Sequence, residues 1–319
     1  MRRNGAALRT VLATAAALLV TPALAQAATT IGQVSPPGLG ITCNTGGGSG
    51  ELVQLLNATG NGYAVPAGGG VITNWSTAAS GGVGTIRLRV YSADSNATSI
   101  TPVAESDPVE FAPDPAGAHP TRIPVKGGEH IGFAVSATGG TGCAFANNAN
   151  ADVVVVSRSI GPLNQAKPIA LPDAAAQSTA LLSIAAGVEA DADGDGYGDE
   201  TQDRCPSQAA THDACSNSFT IGATQRNKKQ GTATVEVSVP GPGNLSLTGT
   251  NLASQGFDVG TAGPGAAKLF VKATGKTKRK LAKKGKVTVE AEIAYTPVGG
   301  EGATQSVPVK LKRKSKKKH

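Results

Sequence analysis

Short runs of alternating apolar and polar residues dominate the chain. Ile86, Leu88 and Val90 alternate with Arg87, Arg89 and Tyr91, the period-two pattern of a strand with one buried face. Apolar runs at 122–125, 131–135 and 153–156 predict further strands, and 180–188 reads as the last strand of this first set. Stretches rich in Gly, Ser, Asn or Pro separate them, and 162–177 reads as a loop with an Ala-rich end. The alternation is cleaner after residue 216. Val235, Val237 and Val239 share one face, as do Leu245 with Leu247 and Leu269 with Val271. Val287, Val289, Ala291, Ile293 and Tyr295 form the longest stripe, and Val307, Val309 and Leu311 close the set.

Composition supports the same class. The chain has 42 glycines and 19 prolines in 319 residues and only 3% aromatic residues. Turns are therefore dense and the cores aliphatic, and long amphipathic helices are absent. The expected fold is all-β, with two β-sandwich domains. The first, jelly-roll-like, covers 28–188. The second, at 216–311, is Ig-like and is similar to the accessory Ig-like modules of bacterial secreted proteins. Residues 189–215 join them, and 312–319 form a basic tail.

The start of the chain reads as an export signal over residues 1–27. Arg2, Arg3 and Arg9 precede a short apolar core at 11–20, and small residues follow at 22–27. The core is about ten residues long, too short to span a bilayer, and no later apolar run is long enough to do so. The expected mature protein is secreted, extracellular or cell-surface associated, with no transmembrane segment. In that setting four cysteines predict two disulfides. Three connectivities are open, of which Cys43–Cys143 and Cys205–Cys215 keep each bridge within one predicted module.

The joining segment carries the densest chemistry. Asp191, Asp193, Asp195, Asp199 and Asp203 fall within thirteen residues, interleaved with Gly194, Gly196 and Gly198 and followed by Cys205-Pro206. Carboxylates this close repel one another, by about 1 kcal/mol per pair at 4 Å even in water. A hard divalent cation removes the repulsion, and Ca²⁺ takes six to eight oxygens in a flexible shell. In a frame starting at Asp191, the carboxylates of Asp191, Asp193 and Asp195 stand at positions one, three and five. Gly196 supplies the turn, Tyr197 offers its carbonyl and Asp199 is at position nine. An alternative frame starts at Glu189 and closes at Glu200, but opens on a poorer first ligand.

In the first frame Asp191, Asp193, Asp195, Gly196, Asp199, Asp203, Cys205 and Pro206 match, in order, the pattern of a thrombospondin type 3 repeat. The segment resembles such a repeat over about one sixteenth of the chain, with one extra residue between Asp199 and Asp203. The resemblance implies a calcium-binding linker with Asp191, Asp193, Asp195, Tyr197, Asp199 and Asp203 as metal ligands. Its role would be structural, in cell adhesion or an extracellular matrix.

Charge is divided along the chain. From 26 to 215 there are 7 basic and 17 acidic residues, a net of −10; from 216 to 319 there are 19 basic and 5 acidic, a net of +14. Basic runs at 276–286 and 310–319 suggest attachment to an anionic cell-envelope polymer or polysaccharide. They contain no aromatic residue to stack on bases, which argues against nucleic acid. The first run reads as a long inter-strand turn with Leu281 tucked against the sandwich. A lectin-like first sandwich is the alternative reading, but Trp75, the only tryptophan, sits beside apolar residues and reads as a core or sheet-packing residue rather than a stacking platform. No catalytic constellation is present. The four histidines lack zinc-motif spacing, and Glu105, Asp107 and Glu110 are too close in sequence to make a paired acid and base across a cleft. The chain reads as a non-enzyme.

Overall fold

The computed structural model describes residues 27–314, apart from 35–40, 45–47, 57–61, 80, 95–97, 112–116, 147–152, 158–162, 172–174, 178–179 and 261–264. The expected signal, up to residue 26, and the tail beyond residue 314 lie outside the described residues. The chain is all-β, and every recorded strand pair is antiparallel.

The first fifteen strands build three sheets. A four-stranded sheet contains β1 (Thr29–Gln33), β4 (Gly70–Thr77), β8 (His119–Val125) and β15 (Ile184–Glu189), in the order β1-β15-β4-β8. A three-stranded sheet contains β2 (Ile41–Asn44), β10 (Thr141–Ala146) and β14 (Ala180–Leu182), with β10 central. The largest sheet contains β3 (Gly48–Leu56), β5 (Val83–Ala93), β6 (Ser99–Glu105), β9 (His130–Thr138), β11 (Val153–Ser157), β12 (Ile169–Ala170) and β13 (Ala175–Gln177). Its order is β12-β6-β5-β9-β3-β11-β13, with β7 (Val109–Glu110) paired to β5. Side chains from these sheets meet in one core that includes Ile72, Trp75, Leu88, Val90, Ile131, Phe133 and Ile184.

Three features differ from the sequence expectations. Residues 180–188 are two strands in different sheets. Between β14 and β15 the buried Ser183 donates its N–H to the Cys143 carbonyl, and the chain changes sheet there. The loop expected at 162–177 contains a 3₁₀ turn (Leu163–Gln165) together with β12 and β13. Finally, β5 is buried on both faces. Ile86, Leu88 and Val90 enter the main core as expected, but Arg89 and Tyr91 on the other face are also buried. Tyr91 packs with Val53 and Ile100, against Leu55, Ile169 and Leu171. Arg89 is held between the carboxylates of Glu51 and Glu105. A buried guanidinium costs free energy unless carboxylates meet it directly.

The last seven strands build a second core from two sheets. One contains β16 (Thr220–Asn227), β17 (Thr232–Val239) and β20 (Gly265–Val271), in the order β16-β17-β20. The other contains β18 (Gly243–Thr248), β19 (Gln255–Val259), β21 (Lys286–Pro297) and β22 (Ala303–Lys312), in the order β19-β18-β21-β22. Three strands face four, as in a β-sandwich. The stripes read from the sequence are the ones that meet. Val235, Val237, Leu245, Leu247, Leu269, Val271, Ala291, Ile293, Tyr295, Val309 and Leu311 are all buried in this core.

The basic run at 276–286 is mostly helix, not a turn. Helix α1 spans Gly275–Lys284. Lys, Arg, Leu and Ala are good helix formers, Leu281 anchors the helix at 4% exposure, and Lys283 and Lys284 complement the dipole in the last turn. Gly285 ends it at φ 68°, its N–H bonded to the Leu281 carbonyl.

Candidate functional site

The acidic segment begins where β15 ends, and β15 delivers it to one end of the four-stranded sheet. Its anchor is Glu189, the last residue of β15, which is 1% exposed. One carboxylate oxygen, Oε1, accepts the hydroxyls of Thr73 at 2.8 Å and Thr201 at 2.7 Å. The other, Oε2, accepts the N–H groups of Glu200 at 3.0 Å and Thr201 at 2.8 Å. Burial works against the charged form, but these hydrogen bonds outweigh it and hold the carboxyl below its ordinary pKa. Gly198 packs directly against this group. A Cβ there would lie 2.5 Å from Glu189 Oε2 and 2.6 Å from Thr73 Cγ2.

The loop that follows is organised by its own aspartates. Asp191 Oδ1 accepts the N–H groups of Gly194 at 2.8 Å and Asp195 at 3.1 Å, and its Oδ2 accepts Gly196 N–H at 3.1 Å. The turn closes through Gly196 at φ 84°, a conformation that favours glycine. Asp193 Oδ1 accepts Asp195 N–H at 3.3 Å, and Asp195 Oδ1 accepts Tyr197 N–H at 2.9 Å. Asp199 Oδ1 accepts Ala192 N–H at 3.1 Å, and Asp203 Oδ1 accepts Cys205 N–H. Both oxygens of Asp191, and one oxygen of each of the other four carboxylates, are thus tethered to backbone, which fixes how the carboxylates are turned.

Asp191, Asp193 and Asp195 come together, each offering a ligand oxygen within 4.8 Å of the others. Asp193 Oδ2 and Asp203 Oδ2 are buried and have no hydrogen-bond partner, and Asp203 as a whole is 5% exposed. Such an oxygen costs free energy unless a cation or donor meets it. Burial first, and then the charge of Asp195, push the Asp193 carboxyl up to about 6. Burial also raises the Asp199 and Asp203 carboxyls, with neighbouring aspartates adding to the shift. The donor set is therefore all oxygen, closely spaced and short of counter-charge, which fits a hard divalent cation. Glu189 and Glu200 belong to a different task. The four lone pairs of Glu189 are taken by protein donors, and Glu200 Oε2 accepts Ala28 N–H at 2.8 Å.

Tyr197, expected to offer its carbonyl, has a second role that the sequence did not reveal. Its ring lies between the Arg122 guanidinium, 4.1 Å from the ring centroid, and the His212 imidazole, stacked at 4.0 Å and 12°. Arg122 is on β8 and His212 lies beyond Cys205, so this stack ties the sheet, the aspartate loop and the following segment together. Gln202 adds a bond from Nε2 to the Thr121 carbonyl at 2.7 Å. No sequence signal marks these partners, because they meet only through the fold.

The remainder of the segment is closed by the Cys205–Cys215 disulfide, as expected, with a Cα–Cα distance of 4.9 Å. Gln208, 2% exposed, exchanges hydrogen bonds with the backbone of Ser216. Cys215 and Ser207 approach the Val298 carbonyl, at 3.3 and 3.5 Å, on the turn between β21 and β22. Cys143 is also disulfide-bonded. β2, the strand that contains position 43, pairs with β10, the strand of Cys143, while the side chain of Cys43 is outside the described residues.

Other candidates resolve differently. Trp75 is 1% exposed, in the main core, with its ring against His119, so it offers no open stacking surface. Glu105 is engaged by Arg87 at 2.8 Å and by Arg89. Among the described residues no helix is long and apolar enough to cross a membrane.

Fold and site together define an all-β protein with an oxygen-rich acidic loop docked on a sheet end. Scans of protein-family models, curated proteins and solved structures give no match to this chain.

Proposed function

We propose that this is a calcium-binding structural protein, secreted or held at a cell surface, in which a metal-loaded acidic segment fixes the connection between two β modules. The observation that carries this reading is the buried, unpartnered Oδ2 of Asp203, with that of Asp193, beside the Asp191–Asp193–Asp195 cluster. In this reading the segment is thrombospondin type 3-like. Asp191, Asp193, Asp195, Asp199 and Asp203 supply carboxylate oxygens and Tyr197 its carbonyl. Calcium supplies only positive charge and coordination; no reaction is catalysed. The chain's own contribution is the framework. Glu189 and Thr73 hold the loop to the first set of sheets, and Arg122 and His212 clamp Tyr197. The disulfide and Gln208 then lead into the second core. The second core carries the basic surface by which the protein would adhere to an anionic envelope polymer.

The test is isothermal calorimetry on the mature protein with calcium and then magnesium. The expected result is saturable calcium binding with a dissociation constant on the order of 10⁻⁴–10⁻³ M, as for extracellular modules, and much weaker magnesium binding. Absence of saturable calcium uptake, or equal uptake by an Asp193→Asn/Asp195→Asn variant, overturns the assignment.

A further inference from the structure

The second core has an open cleft of about 350 Å³ at one end, lined by Lys228, Lys284, Lys286, Lys312, Arg313 and Lys314. Three separate parts of the chain build it. Lys228 lies in the turn between β16 and β17, Lys284 ends α1, Lys286 starts β21, Lys312 ends β22, and Arg313 and Lys314 follow it. The backbone fixes this convergence. Arg313 N–H bonds to the Gly285 carbonyl at 2.8 Å, and Lys314 N–H to the Lys228 carbonyl at 2.9 Å. Lys286 and Lys312 stand directly opposite each other across β21 and β22.

Such an arrangement works against the isolated fold. Like charges directly opposite on paired strands destabilise them. Within α1, the spacings Lys276–Lys280, Arg279–Lys283 and Lys280–Lys284 place like charges four apart, which is also unfavourable. Among the described residues no carboxylate lines the cleft. The ion pairs recorded among the described residues engage only Arg87 and Arg89, in the first set of sheets. An anionic partner would offset this repulsion. Among the described residues that line it there is no aromatic ring for base stacking and no apolar side chain to enter a bilayer. Five of its six cations are lysines, point charges that suit repeated anionic groups on a flexible chain more than a planar, bidentate target.

We propose that this cleft binds a linear, non-aromatic polyanion through successive sulfate, phosphate or carboxylate groups. The proposal rests on the attachment to an anionic polymer proposed above and gives it a site; that site is separate from the aspartate loop and does not depend on calcium binding.

The experiment uses the full chain, with dextran sulfate, inorganic polyphosphate, a polyuronate and duplex DNA as probes, each measured with chelator and with calcium. The chelator arm separates failure of the cleft from failure of the metal site, and the three non-aromatic polymers distinguish the source of the anion. Expected is binding to at least one of them that is tighter than to DNA and weakens steeply with salt. A Lys284→Gln/Lys286→Gln/Lys314→Gln variant removes three exposed charges and should lose about 100-fold in affinity, roughly fivefold per cation. Its melting temperature should not fall. A Lys126→Gln/Lys167→Gln/Lys268→Gln variant, equal in charge but remote from the cleft, should lose less than about fivefold. Equal losses in the two variants, tighter binding to DNA, or no binding to any of the three polymers overturns the proposal.

Discussion

Replacing Asp193 and Asp195 with asparagine tests the electrostatics of the acidic loop in two opposite directions. The ligand oxygens of Asp191, Asp193 and Asp195 lie within 4.8 Å of one another. At that separation each charged pair costs about 0.9 kcal/mol in water and about 3.5 kcal/mol at an effective dielectric of 20. The double variant removes all three pairings. Taking the water value for these half-exposed groups gives about 2.6 kcal/mol of relief. The backbone bonds to Asp193 Oδ1 and Asp195 Oδ1 persist, but weaken by about 1 kcal/mol in total when the acceptors lose charge. In chelator the variant should therefore be more stable than wild type by about 1–2 kcal/mol, or about 2–8 °C in melting temperature. Calcium reverses the order. With a dissociation constant near 10⁻⁴ M, about 10 mM calcium stabilises wild type by about 2.7 kcal/mol, or about 5–11 °C, and the variant by less than about 2 °C. Differential scanning calorimetry in chelator and in calcium reads both. A variant that melts lower than wild type in chelator, or that keeps the wild-type calcium shift, would falsify the reasoning.

Three further outcomes are expected. Gly198→Ala forces a Cβ against Glu189 Oε2 and Thr73 Cγ2 and should cost about 1–3 kcal/mol in urea unfolding; Gly256→Ala, with nothing within 4 Å, is the control and should be nearly neutral. A double-mutant cycle with Arg122→Ala and Tyr197→Ala should give a coupling of about 0.5–1 kcal/mol, and a coupling of zero would show that the ring and guanidinium do not interact. Burial lowers the His130 pKa, so the fold holds it neutral while the unfolded chain takes up a proton. Stability from this group is present above pH of about 6.5 and is lost as pH falls through the folded value. The urea midpoint of wild type should drop more between pH 7 and pH 5 than that of His130→Gln, and parallel profiles would contradict it.

The elements legible in the sequence are those set by a single local pattern. Period-two stripes located the strands of the second core, since β17, β18, β21 and β22 each bury one alternate set of residues. The pattern misled where burial is two-sided. Arg87, Arg89 and Tyr91 look like a solvent face, yet the carboxylates of Glu51 and Glu105, distant in sequence, bury Arg89. It also missed α1, because one apolar residue, Leu281, anchors ten and leaves almost no periodicity to read. The aspartates, glycines and cysteines of the acidic segment were visible as a motif. Its attachments were not. Thr73, Thr121 and Arg122 belong to β4 and β8, and only the sheet order β15-β4-β8 brings them to the loop.

Those attachments narrow what a cation would have to do. As a free tether, the whole of 189–215 would gain its order from metal. In the fold, Glu189 is satisfied by four protein donors, and 205–216 is held by a disulfide and the Gln208–Ser216 exchange. Neither restraint uses an oxygen of the aspartate cluster. The part whose charge is uncompensated is confined to 191–203, where buried Asp193 and Asp203 oxygens lack partners. Metal binding to such a site orders few residues, so little conformational entropy opposes it. Its effect on the connection between the cores is then transmitted through Tyr197, the one loop residue gripped from both sides by Arg122 and His212. Calcium-dependent protection from proteolysis should accordingly be greatest within 191–203 and weaker across 205–215, and a Tyr197→Ala variant should keep the first while losing the second.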